Sequence, residues 1–190
     1  MSTTTGSLRM TIPEDWYDLS VADEAAENTL ARRLWDACVE GGVDEESAGL
    51  FTESVRRSIR HARRNGVLHA AGMFEIYEDG PLTATVVAAT VTPPGNADLL
   101  SALTEGKSAV DTWTRVSTVR IDGVGTAARV HGIQDVVMDD VPIRCAVMHT
   151  LIRIPGRTEV MVITGTSPNI AEADTLFELF GSITATVSIH

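Results

Sequence analysis

The sequence predicts an α+β domain: a mostly antiparallel sheet of about six or seven strands, packed with helices on one or both faces. Three observations carry this. Apolar residues recur at helical spacing up to Arg64, then at a period of two from Val67 onward. The strand segments follow one another through short turns at 78–81, 122–123 and 155–156, which suits antiparallel neighbours. Amphipathic helical stretches bracket the strands at both ends of the chain, the signature of a layered α+β domain.

Residues 1–7 read as a short disordered tail and 8–190 as a single domain. A first strand is expected over 8–12, ended by Pro13, with a compact aromatic turn over 15–19. Asp23 is placed to cap a first helix, with Glu24 and Glu27 complementing the positive end of its dipole. Leu30, Leu34 and Cys38 recur at every fourth position and form its buried stripe, with Trp35 beside it. Gly41-Gly42 stops that helix. Asp44 caps a second, which runs to about Arg64 and closes at Asn65-Gly66.

Strands are expected over 67–77 and 82–92. Residues 85–91 are apolar on both sides of the alternation, so this strand should be central and covered on both faces. Pro93-Pro94-Gly95 breaks it; a short helix over 97–103 and a polar connection over 107–111 follow. The next strand pair spans 112–121 and 125–131, turned at Asp122-Gly123. Residues 134–142, with Asp135, Asp139 and Asp140, read as an acidic loop. A last hairpin, 145–152 and 158–164, leads to Ser167 as the cap of a final helix and Pro168 as its first residue. Leu176, Phe177, Phe180 and Ile183 mark that helix's buried face, and a short strand over 185–189 ends the chain.

The 190-residue chain carries a net charge of −11, which argues against nucleic acid as a partner. No apolar run reaches the roughly 20 residues of a membrane span. The N-terminal residues lack the basic start and apolar segment of a secretory signal, so a cytoplasmic protein is expected. Cys38 and Cys145 lie on apolar stretches and read as reduced core thiols.

Chemistry is sparse. His61, His69, His131, His149 and His190 show no metal-ligand spacing, and phosphate-loop, dinucleotide and nucleophile-elbow motifs are absent. Gly123-Val124-Gly125 is a turn between strands. The acidic pairs Glu45-Glu46 and Asp139-Asp140 are sequence neighbours, which point apart and cannot flank a substrate together. Arg129, His131 and Asp135 are the least improbable catalytic trio. No catalytic residue, metal or cofactor is assigned, and the protein is read as no enzyme.

One feature stands out. Arg56, Arg57, Arg60, Arg63 and Arg64 cover about a third of the second helix's circumference, while Phe51, Val55, Ile59 and Ala62 take another sector. A dense basic face on an acidic protein is either solvated and paired locally, or a docking surface for an acidic protein partner. A homodimer through an unpaired sheet edge is a second expected association. Small side chains at Ala70, Ala71, Gly72, Ala84, Ala88 and Ala89 leave room between sheet and helices. That room is either filled by Leu34, Phe51 and Ile59 or left as a pocket for a small molecule or lipid.

Short motifs add a resemblance. Ile12-Pro13-Glu14-Asp15-Trp16-Tyr17-Asp18-Leu19, Ile154-Pro155-Gly156-Arg157, Gly165-Thr166-Ser167-Pro168 and Leu176-Phe177-Glu178-Leu179-Phe180 occur in an order that resembles a family of uncharacterised actinobacterial proteins. The element order also resembles the Mog1/PsbP-like fold, an antiparallel sheet sandwiched by helices. The resemblance implies a non-catalytic interaction or accessory module, linked to a secretion or effector system. Exported PsbP-like relatives carry a signal that this N-terminus does not match.

Overall fold

The computed structural model describes residues 8–20, 23–77, 80–93, 115–138 and 141–189. Two aspartates open the N-terminal helices as expected. Asp23 Oδ1 accepts the Ala26 N–H at 2.9 Å to start α1 (Glu24–Glu40), and Asp44 Oδ1 accepts the Ser47 N–H at 2.9 Å to start α2 (Glu45–Arg64). Gly42 and Gly66, both at positive φ, let the chain turn after each helix.

Short strands β1 (Leu8–Arg9) and β2 (Tyr17–Asp18) precede these helices. The strands that follow are β3 (Val67–Tyr77), β4 (Gly80–Val91), β5 (Arg115–Ile121), β6 (Gly125–Met138), β7 (Val141–Arg153) and β8 (Val160–Ser167). The final helix α3 (Ala173–Ala185) and strand β9 (Ser188–Ile189) end the described chain. Seven strands form one sheet in the order β2-β3-β4-β8-β7-β6-β5, every neighbouring pair antiparallel. β1 and β9 pair separately. The α+β class and antiparallel sheet are as the sequence predicts, and helices cover both faces.

Alternation along β4 sorts the two layers. Ala84, Val86 and Ala88 point to one face and pack with Met148, Ile152, Met161 and Ile163 beneath Leu176, Phe180 and Ile183 of α3. Trp16 closes an edge of this core. Thr83, Thr85 and Val87 point to the other face, below α2. There a smaller cluster, Leu30, Leu34 and Ile59, packs with Tyr17, Leu19, Phe51, Val55 and Phe74.

Several local expectations are corrected. The aromatic segment does not simply turn: Tyr17 and Asp18 pair with Gly72 and Ala71. Gly72 permits this close approach, since a Cβ there would sit 3.0 Å from Leu19 Cδ1. Residues 134–138 are not loop. β6 outruns β5 and stays paired with β7 as far as Met138 opposite Val141. Its acidic residue Asp135 sits across from Arg144, which pairs with it at 3.1 Å and offsets the charge.

Ser167 does not cap a helix. It ends β8, its hydroxyl donating to the Thr83 carbonyl at 2.6 Å and accepting the Asn169 N–H at 3.1 Å. The helix is delayed by one 3-10 turn (Ile170–Glu172). The expected strands at the two ends shrink to two residues each. Strand β4 lies inside the sheet, between β3 and β8, but its cover is uneven: Val86 and Ala88 are buried on the α3 side, whereas on the α2 side Val87 is half-buried and Thr85 exposed. The expected tail 1–7, hairpin loop residues 78–79, short helix 97–103, connection 107–111, Asp139-Asp140 and His190 lie outside the described residues.

Candidate functional site

The exposed face of β4 opens into a cavity of about 390 Å³ between α2 and the sheet. α2 reaches the sheet through Phe51, whose ring stacks on Phe74 of β3 with centroids 4.6 Å apart, and through Val55 and Ile59 in the same cluster. Further along the helix, Val55, Ile59 and Ala62 line the cavity wall without filling it, and Leu34 of α1 joins them. The floor is made of small or short side chains. Gly72, Thr85 and Thr166 lie side by side on β3, β4 and β8, in register across the three strands. Ala70 and Val87 form the next row. Ile143 and Cys145 of β7 close the far side, and Cys145 is a free thiol whose burial raises its pKa.

No charged side chain lines this cavity among the described residues. Its polar groups are hydroxyls, contributed by Tyr17, Ser54, Ser58, Thr83, Thr85 and Thr166. Such a lining can solvate a hydrocarbon surface and hold a few neutral polar atoms. It cannot offset a buried charge.

The small residues singled out from the sequence divide between the two faces. Ala70 and Gly72 line the cavity, whereas Ala71 and Ala88 pack under α3. Leu34, Phe51 and Ile59 lie on the cavity wall, so the space is not filled by them. The threonine floor and the serines of α2 were missed. Their only sequence signal is that Thr83, Thr85, Val87 share one side of the alternation with polar residues at the tip.

Part of the basic face of α2 converges on one buried carboxylate. Glu27 of α1 is 1% exposed, and three arginines of α2 close over it. Arg60 approaches its carboxylate at 2.7 Å, Arg56 at 3.2 Å and Arg63 at 3.6 Å. Hydrogen bonds from Arg60 outweigh desolvation and hold Glu27 below the usual carboxylate range, with Arg56 adding to the effect. Arg56 also donates to Asn28 Oδ1 at 2.7 Å. Arg57 and Arg64 are exposed.

Arg129, His131 and Asp135 share one face of β6 but serve separate contacts. Arg129 donates to Thr184 of α3 at 2.6 Å and to Thr150 at 3.3 Å, and Gly181 leaves space for it. The His131 ring rests on Phe177, 4.7 Å between centroids; burial, then Arg115 and Arg129, push its pKa down. Asp135 is paired with Arg144. His69 meets the Ser20 hydroxyl at 3.2 Å, and His149 meets Thr164 at 3.0 Å. Among the described residues no three His, Cys, Asp or Glu side chains converge, and no helix is long and apolar enough to cross a membrane.

No protein-family model matches this chain, and no curated protein matches it. Among solved structures, the chain is similar to LpqN, a protein involved in cell envelope biogenesis of Mycobacterium tuberculosis, at 13% identity over 97% of this chain and 84% of that chain, with a TM-score of 0.47.

Proposed function

We propose that this protein is a non-catalytic binding module that holds an apolar small molecule or lipid chain between α2 and the sheet. The supporting observation is the cavity of about 390 Å³, lined without charge among the described residues, on a chain of net charge −11. Sites that enclose small molecules run from about 300 to 1,000 Å³ and are lined largely by apolar groups, with a few polar atoms for orientation. The direction of the basic helix face favours this reading over an acidic docking partner. Arg56, Arg60 and Arg63 direct their charge to Glu27, so much of that face is already neutralised within the chain.

The test is a titration with Nile red, an uncharged apolar dye whose emission shifts on leaving water. Saturable one-to-one binding is expected, and Ala62→Trp, which places an indole in the cavity, is expected to abolish it with the fold retained by circular dichroism. Nonsaturable uptake, or full binding by the folded Ala62→Trp variant, would remove the proposal.

A further inference from the structure

The cavity is not uniform, and its two ends differ in a way that defines the ligand. Resting on the binding role proposed above, we infer that the ligand is an uncharged amphiphile: a hydrocarbon chain with a neutral, hydroxyl- or ester-bearing head. On α2 the lining residues sort by side. Val55 and Ile59 face α1, where Leu30, Leu34 and Phe74 make an apolar end, bordered by Tyr17, whose ring carries the Arg33 guanidinium 5.2 Å from its centroid. Ser54 and Ser58 lie one turn apart on the side away from α1. Opposite them on the floor, Thr85 and Thr166 are register partners on β4 and β8, and Thr83 follows on the same face of β4.

None of these five hydroxyls donates to another protein group among the described residues, nor accepts from one. A hydroxyl can both donate and accept, so such a group matches an alcohol or ester head. It supplies no cation. Ser58 and Thr85 are exposed, so a head seated there keeps part of its hydration. An ionised carboxylate or phosphate would still meet no counter-charge from these hydroxyls, on a chain of net charge −11, whereas a neutral head can exchange hydrogen bonds with the serines and threonines. The charged side chains of α2 nearest in the helix's register to the apolar sector belong to the Glu27 cluster, on the opposite flank from Ser54 and Ser58.

The experiment is displacement of bound Nile red by 1-monolauroylglycerol and by laurate, both below their aggregation limits at pH 7.5. The glyceride is expected to displace the dye at a concentration several-fold below that of laurate, because its hydroxyls find partners in the serines and threonines while the carboxylate finds no counter-charge among them. In the Thr85→Val/Thr166→Val variant, whose side chains keep the shape and lose the hydroxyls, that preference is expected to shrink while Nile red still binds. Equal displacement, tighter laurate binding, or an unchanged preference in the double variant would overturn the inference and leave the apolar site standing. Saturable dye binding that neither amphiphile displaces would likewise overturn it alone. Failure of Nile red itself to bind would instead remove the binding role.

Discussion

Glu27 on α1 and Arg60 on α2 meet at 2.7 Å with the carboxylate almost wholly withdrawn from solvent. Arg56 and Arg63 complete the cover, and each arginine keeps part of its surface in water. The arrangement fixes how the two helices lie against each other, and therefore how wide the cavity under α2 can be.

Removing the acceptor is the direct test. Glu27→Gln keeps the shape but loses the charge that three arginines share. Charge-assisted hydrogen bonds contribute about 1.5–3 kcal/mol, and the partial exposure of the arginines puts the loss here at the low end. A fall of about 1–2 kcal/mol in unfolding free energy is expected from the urea midpoint at constant slope. An unchanged midpoint would show that the cluster is ornamental.

The same cluster sets a pH dependence. The folded pKa of Glu27 is depressed, first by the hydrogen bonds from Arg60, and that of Asp44 by the amide of Ser47. A depressed carboxylate binds fewer protons when folded than when unfolded. Its stabilisation is complete above the unfolded value, about 4.5 for a glutamate, and is lost as pH falls through the folded value. Thermal unfolding should therefore move to lower temperature below about pH 4.5, and less steeply in Glu27→Gln. Parallel pH profiles for the two proteins would contradict the assignment.

Asn169 replaces a missing piece of strand. Where β8 ends at Ser167, the Asn169 side chain accepts the Thr83 N–H at 2.9 Å and donates to the Pro81 carbonyl at 2.8 Å. It thus satisfies the edge of β4 beside the cavity floor. Asn169→Ala should cost about 1–2 kcal/mol for two lost hydrogen bonds. Asn169→Asp, which keeps the acceptor and loses the donor, should fall between. Amide exchange should quicken at Thr83 in the alanine variant, and unaltered protection there would refute the role.

Much of the fold was legible because its signals are local. Asp23 and Asp44 announce helix starts, and the alternation of 82–92 announces a strand. What escaped the sequence depends on partners far along the chain. Residues 134–138 look like an acidic loop until Arg144 is set opposite Asp135. Ser167-Pro168 has the composition of a helix start, yet the Ser167 hydroxyl is taken by Thr83, 84 positions away. The arginine face of α2 was visible, but its counter-charge was a glutamate read as a first-turn residue of α1. The cavity floor was half legible: small side chains at Ala70 and Gly72 pointed to room, while only the sheet order, with β8 inserted between β4 and β7, brings Thr166 beside Thr85.

Gly165 decides how close α3 can lie to the sheet. It sits in the central strand β8, and a Cβ there would clash with the Cγ and Cδ atoms of the Phe180 ring, which is fully buried. Neither partner can yield easily, since Phe180 is enclosed by Ala88, Met148 and Ile163 in the same core. Gly165→Ala should destabilise the protein by about 1–3 kcal/mol through overpacking, despite the higher strand propensity of alanine. Phe180→Leu alone should also destabilise, by loss of buried ring surface. Combined, the two changes should cost clearly less than their sum, because the smaller side chain makes room for the new methyl. Denaturant unfolding of the wild type, both single variants and the double variant completes the cycle. Strict additivity would mean that Phe180 does not rest on Gly165 in solution.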